Sequence, residues 1–436
     1  MAKPKQGLLF DEGEHAPQLF IENNHVHVKK STFLAGVSAS VHRWFRLTPS
    51  FGPDLVRKML ADMETEDGHT VLDPFSGAGT TVIESKMEGI RSIGFEINPL
   101  LHFVCETSTR WDLLPTELED AYRRIGERFQ AERIRLAGKD VEVIGIPLPT
   151  IHNVFRWWRK DVLQDMLILR EAIHSECPDG PMRAFFRLSL AGVLVPDLTN
   201  VTLGRLQLHF IDRSGHEIDV WRSFDAHTRR MLDDIAAIPA DKRTVLSRVL
   251  WIDSTTDDVL KVEGKVDRVI TSPPYPNRYS YVWNTRPHLF LLNLFQNAKQ
   301  ASDLDLRTIG GTWGTATSVL IKGVRAPEYP VIEREVVPVA EQIRKDDNLM
   351  ANYLVHYFNR LARQIVSQNR ILAPKARCAY VVGCSELKGV YVETDVLLAK
   401  VFEGLGIGFK VDRIERIRRR HSGKDLHESI VYASKR

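Results

Sequence analysis

Cysteine is scarce in this 436-residue chain, and the four present, Cys105, Cys177, Cys378 and Cys384, form no CxxC pair and have no histidine beside them at zinc-ligand spacing. That excludes a disulfide framework and a structural zinc site as organising principles, and a reduced, intracellular protein without metal is expected. Long hydrophobic runs are missing too. No stretch approaches the roughly twenty apolar residues of a membrane span, and the lysine-bearing start, Met1 to Glu12, has no apolar core of signal-peptide length. A soluble, cytoplasmic protein with no membrane partner is the expectation. Charge of one sign is also in short supply: 59 Lys and Arg against 56 Asp and Glu leave a net +3. Any binding of nucleic acid must therefore rest on local basic surfaces. There is no internal repeat and no extended low-complexity tract, and the length allows one to three domains.

What the chain does have is a series of short β-branched runs, each followed by turn or helix chemistry, as buried parallel strands are. They are Thr70 to Leu72, Ser92 to Phe95, Arg248 to Ile252, Val266 to Ile270, Ala379 to Val382, Phe409 to Ile417 and Ser429 to Tyr432. Helical spacing fills gaps between them at Pro53 to Met63, Thr80 to Glu88, Asn352 to Arg370 and Thr394 to Leu405. The alternation predicts an α/β, doubly wound, seven-stranded sheet. One long interruption, residues 105–246, carries helical patterns at Leu118 to Leu136, Trp157 to Ile173 and Met182 to Leu194 but few strand signals; it reads as an inserted, mainly helical recognition region. It separates a cofactor-binding part, residues 1–104, from a catalytic part, residues 247–436. Within the latter, 303–345 mixes Gly310, Gly311, Gly314, Gly323 and Pro327 with charges, as a mobile surface loop would.

The first predicted strand runs into Asp73-Pro74-Phe75-Ser76-Gly77-Ala78-Gly79-Thr80-Thr81, a glycine-rich turn opening a helix. Gly77 and Gly79 let backbone N–H groups approach a ligand at the carboxyl end of the strand, although a tight strand-to-helix turn would need the same glycines. The string lacks both the lysine of a phosphate-binding P-loop and the third glycine of the dinucleotide fingerprint. That leaves a nucleoside ligand without a polyphosphate. About twenty residues on, the second strand ends in Gly94-Phe95-Glu96-Ile97-Asn98-Pro99, and an acid placed there accepts both ribose hydroxyls. A third acid, Asp253, closes the strand before it, where its carboxylate suits an adenine amino group or a neighbouring backbone site; a solvated strand-end acid is the plainer reading.

These residues resemble the class I methyltransferases that use S-adenosylmethionine, and specifically the DNA amino-methyltransferases, whose first motif is a DPFSGAGTT-like string. The resemblance implies a Rossmann-like fold, S-adenosylmethionine as cofactor with S-adenosylhomocysteine as product, and no metal. It implies cofactor-binding roles for Asp73, Pro74, Phe75, Gly77, Gly79, Thr80, Glu96, Asn98 and Asp253. His42 to Phe51, including Ser50 and Phe51, resembles the segment that closes over the cofactor's methionine end.

After the strand Val266 to Ile270 comes Ser272-Pro273-Pro274-Tyr275. An exocyclic base amine is a poor nucleophile because its lone pair is delocalised into the ring. Acceptors for both amine protons, the Ser272 side chain and the Pro273 carbonyl, help the nitrogen pyramidalise toward an electrophilic methyl. Prolines stiffen such a loop, and Tyr275 suits stacking on a base swung out of the helix. As an isolated string, Pro-Pro-Tyr also suits a polyproline-type ligand. The tetrapeptide resembles the family's catalytic motif, and its serine form resembles the cytosine-N4 group; the aspartate form is usual for adenine N6. The linear order, with the insert between cofactor and catalytic motifs, is more usual among adenine-type members.

Asn277-Arg278-Tyr279-Ser280-Tyr281 prolongs the wall of the expected base pocket, and Asn277, Arg278 and Tyr279 are candidate substrate contacts. In the insert, Phe155-Arg156-Trp157-Trp158-Arg159-Lys160 with Arg183, Arg187 and Arg205 is a candidate DNA surface, with helix packing and solvated charge as the even alternative. Arg416 to His421 is a candidate phosphate-backbone contact or a solvated strand end. Double-stranded DNA is the expected substrate, with a cognate restriction endonuclease or defence-system proteins as possible partners. Adenine-N6 methylation, RNA or protein-amide methylation and a catalytically dead nucleic-acid-binding module are the competing readings.

Overall fold

The computed structural model describes residues 19–23, 33–204, 207–311, 315–420 and 426–436. Arg205, Gly314, His421 and the lysine-bearing start, all singled out in the sequence, lie outside the described residues.

A single large sheet organises the molecule. Its strands are β1 (Ile21–Asn23), β2 (Thr70–Asp73), β3 (Arg91–Glu96), β4 (Ser247–Trp251), β5 (Val266–Thr271), β6 (Leu372–Gly383), β7 (Phe409–Arg420) and β8 (Leu426–Lys435). Their spatial order is β1-β7-β8-β6-β5-β2-β3-β4. All neighbours are parallel except β8, which runs against both β7 and β6. The seven expected strands are all present in this doubly wound sheet. The eighth, β1, is a three-residue edge strand with half its surface in water, and such a strand carries no apolar run to read.

Alternate residues of the central strands feed opposite faces, as the period of two requires. Leu72, Val269, Tyr380 and Val382 pack with the long helix Asn348–Asn369 on one face. Val71, Ile270, Ala379 and Val381 pack with α1 (Pro53–Asp62) on the other. Following α1 in the chain are α2 (Thr80–Met87), after the glycine turn, and α3 (Pro99–Ser108), capped by Asn98, whose side chain accepts from the Leu100 N–H.

The sequence boundary at 105 therefore falls inside α3. The insert continues with α4 (Pro115–Arg135), α5 (Lys160–Glu176), α6 (Pro181–Val193) and α7 (Val220–Ala237), with a two-stranded hairpin, Val201–Leu203 with Leu208–Phe210. Its core is continuous with Ile83, Leu100, Leu101 and Val104 of α2 and α3, so it shares a core with the cofactor half. The 303–345 stretch needs correction. It holds helical segments at Ala298–Arg307, Thr315–Ile321 and Val337–Arg344, and Val331, Ile332, Val336, Ala340 and Ile343 are buried against the sheet-face core. Of the glycines that suggested a loop, Gly310, Gly311 and Gly323 lie between these short helices.

Candidate active site

The order of the sheet reverses between β2 and β5, so the carboxyl ends of these two strands form the crevice where open α/β sheets bind ligands. The glycine turn leaves β2 and the Ser-Pro-Pro-Tyr loop leaves β5. Both line one cavity, together with the end of β3 and the segment before α1. From the sequence-derived set the cavity wall contains Ser50, Phe51, Pro74, Phe75, Gly77, Thr80, Glu96, Asn98, Asp253, Ser272 and Pro274.

Local chemistry explains the turn. Gly77 and Gly79 both have positive φ, 52° and 96°, which a side chain disfavours. A Cβ on Gly79 would also stand 2.8 Å from Cys105 Sγ, so α3 closes on the turn only because that position is bare. The Gly77 N–H donates to Glu96 Oε2 at 2.8 Å, and the Asn98 N–H donates to Glu96 Oε1 at 2.8 Å. Glu96 is thus fixed by backbone on both oxygens while one edge faces the cavity. Burial raises its pKa to about 7 despite these donors, because desolvation penalises the ionised form. Asp253 accepts from the Thr255 N–H at 3.0 Å and its hydroxyl at 2.7 Å, and Arg360 lies 3.4 Å away on the other oxygen.

Two residues expected in the cofactor set, Asp73 and Gly79, do not reach the cavity. Asp73 is 1 % exposed and points across the sheet, accepting from Thr271 Oγ1 at 2.6 Å and the Phe75 N–H at 3.0 Å. Burial raises its pKa to about 6. Gly79 is the helix N-cap behind the wall. Pro273 and Tyr275 of the catalytic set also stand outside the lining. The Tyr275 hydroxyl donates to Glu428 Oε1 at 2.7 Å. Asn277, Arg278 and Tyr279 form a tight turn: the Asn277 N–H donates to the Tyr275 carbonyl at 2.8 Å and the Tyr279 N–H to Asn277 Oδ1 at 3.2 Å. Arg278 is exposed with φ 62°, and Tyr279 lines a neighbouring small cavity with Phe45, Asn284 and His288.

Sequence reasoning missed Ser254 and the Arg307 to Ile309 wall, and it set Tyr281 on the base-pocket wall, whereas Tyr281 lines this same cavity. Tyr281 follows Ser280, which caps the helix Tyr281–Leu291 and donates to Asp305 Oδ1 at 2.7 Å. Nothing marks 307–309, because it belongs to the stretch whose glycines suggested a loop.

The candidate DNA residues of the insert resolve toward packing. Trp157 and Trp158 are buried in the helical core. Arg156 stacks on Phe210 at 3.9 Å, and Lys160 pairs with Asp140 and Glu142 at 2.9 and 2.8 Å. Arg159 reaches Asp161 and two carbonyls, Arg183 reaches Asp179 and the Cys177 carbonyl, and Arg187 donates to the Leu292 carbonyl at 2.6 Å. Arg416 pairs with Asp395 and Glu393, each at 3.2 Å. Arg418 pairs with Glu428. Among the described residues no cluster of His, Cys, Asp and Glu suits a metal ion, and no helix is long and apolar enough to cross a membrane.

The cavity suits an adenosyl ligand: Phe51, Phe75, Ile97 and Ile252 supply apolar wall, while Glu96 and Asp253 supply acceptors at two separate places. Comparison with known proteins agrees. Residues 18–102 match the profile of the DNA methylase family, spanning the segment before α1, the glycine turn, Glu96 and Asn98. The chain is 25% identical to the type II methyltransferase M.BsoBI of Geobacillus stearothermophilus, over 94% of this chain and 89% of that protein. It is 22% identical to the type II methyltransferase M.AvaI of a Nostoc species, over 88% and 82%. It is 19% identical to the type II methyltransferase M.MvaI of Kocuria varians, over 76% and 73%.

Proposed function

We propose that this chain, a DNA amino-methyltransferase by its family match and its near full-length relatives, methylates cytosine N4 in duplex DNA after flipping the base. The observation that carries the reading is the shared cavity: Glu96 and Gly77 stand on one wall and Ser272 and Pro274 on another. S-adenosylmethionine, when bound, supplies an electrophilic methyl group. The chain's own residues do the rest. Glu96 accepts the ribose hydroxyls and Asp253 serves the adenine end, with Phe51 and Phe75 excluding water from between them. Ser50 and Phe51 close the methionine end.

Ser272 Oγ and the Pro273 carbonyl accept the two amine protons, which turns the nitrogen lone pair out of conjugation. The loop is rigid through its two prolines, so neither acceptor must be reorganised during the reaction. After transfer the nitrogen carries positive charge and releases its proton readily, so no strong base is required. Tyr275 stacks on the extruded base and offsets part of the few kcal/mol lost on unstacking. The serine at 272 favours cytosine over adenine. The likeness to type II methyltransferases also suggests a cytoplasmic enzyme at the nucleoid, with a cognate restriction endonuclease as companion.

Nucleoside mass spectrometry of DNA from cells expressing the protein tests this directly. N4-methylcytosine is expected; N6-methyladenine in its place would reassign the base, and neither product would sink the reading.

A further inference from the structure

Tyr275 is held at both ends. Its carbonyl accepts from the Asn277 N–H at 2.8 Å, and its hydroxyl donates to Glu428 Oε1 at 2.7 Å. Glu428 is 4 % exposed and sits on β8, where it is paired in register with Arg418 of β7 and Gly383 of β6. Arg418 Nε contacts the second carboxylate oxygen, Oε2. The carboxylate is thus held on one side by the sheet and on the other by an arginine of the adjoining strand, and it fixes a side chain 153 positions earlier in the chain.

We infer that Glu428, backed by Arg418, is a positioning residue that holds the Tyr275 ring in place for the base. The inference rests on the stacking role proposed for Tyr275. A phenylalanine ring presents the same π-face but has no tether at its far end against swinging about the Cα–Cβ torsion. A tyrosine anchored through its hydroxyl pre-pays that ordering, so the platform waits in place when the base arrives. The ion pair with Arg418 also keeps the anchor aimed: Glu428 cannot swing toward water without leaving Arg418 without its partner.

The test uses the full-length enzyme, tritiated S-adenosylmethionine and unmethylated bulk DNA, with cofactor affinity measured separately by calorimetry. Tyr275→Phe and Glu428→Ala are each expected to lower kcat/KM for DNA about tenfold, with cofactor Kd unchanged. The double variant is expected to be no worse than either single change, since both remove the same hydrogen bond. Tyr275→Phe keeps the fold even if loss of Glu428 does not. Additive losses, or full activity in Tyr275→Phe, overturn the positioning role. Tyr275→Ala separates the two layers. If it is severely impaired while Tyr275→Phe is not, the anchor fails and stacking stands. If Tyr275→Ala is itself fully active, the stacking role falls and takes the anchor with it.

Discussion

Thr271 Oγ1 donates to Asp73 Oδ1 at 2.6 Å, and this one bond ties the residue preceding the Ser-Pro-Pro-Tyr loop to the residue opening the glycine turn. Both groups are buried, and both sit at the carboxyl ends of neighbouring parallel strands. The relative height of the two loops is what brings a methyl donor and an amine into one cavity, so a bond across their roots bears directly on turnover.

Thr271→Val keeps the shape and removes the closest donor, leaving Asp73 with the Phe75 N–H and the Thr81 hydroxyl. A buried acceptor losing a partner costs about 1–3 kcal/mol, so a thermal midpoint several degrees lower is expected. Turnover should fall about tenfold while KM for cofactor changes little. Unchanged kcat would show that loop register does not depend on this bond.

The raised pKa of Asp73, about 6, has a definite sign in stability. A carboxyl whose folded pKa exceeds its unfolded value stabilises the fold at pH below the unfolded value, near 4, and loses that contribution as pH rises through about 6. Relative to Asp73→Asn, the wild type should therefore lose up to about 3 kcal/mol between pH 4 and 7. Denaturant midpoints of the two proteins across that range measure it, and parallel curves would contradict the burial cause.

Burial lifts the Glu96 pKa to about 7. Two ribose hydroxyls donate best to an ionised carboxylate, so ligand binding favours the deprotonated form. Cofactor Kd should fall as pH rises from 6 to 8 and level off above. Glu96→Gln should flatten the profile, and Glu96→Ala should weaken binding by about 100-fold. Calorimetry at three pH values decides, and a flat wild-type profile would remove the ribose role.

Most of the sheet was legible because its strands are short β-branched runs buried on both faces, a pattern that turn residues bracket cleanly. β1 was not, having three residues and an edge position. The cavity wall was readable at Gly77 and Glu96 because backbone approach and an acid at a strand end are local requirements. Asp73 was not, since nothing local distinguishes an aspartate facing a ligand from one facing Thr271 across the sheet. Trp157, Trp158 and the arginines of the insert illustrate the same limit: an aromatic and basic string reads alike whether its partners are phosphates or carboxylates 20 residues away, such as Asp140 beside Lys160.

Ser272→Ala removes an acceptor proposed to act on the amine alone. Cofactor affinity should be nearly untouched while kcat drops on the order of 100-fold. A variant retaining full kcat would take Ser272 out of the mechanism.

Asp234 of α7 offers a different kind of test, because it joins the insert to the segment that closes the cavity. Its carboxylate accepts from the Val41 N–H at 3.0 Å, from Trp44 Nε1 at 2.8 Å and from Arg43 at 2.6 and 3.0 Å. Only a few residues on, Leu47, Ser50 and Phe51 line the cofactor cavity. Removing a carboxylate with this many buried donors leaves an indole N–H, a backbone N–H and a guanidinium without their acceptor, so Asp234→Ala should cost about 3 kcal/mol. Below its melting range the variant should also bind cofactor more weakly, since the closing segment has lost its anchor. Asp234→Asn retains one acceptor oxygen and should fall between. If cofactor Kd is the same in all three proteins, the insert supports the fold of this segment without setting how it closes.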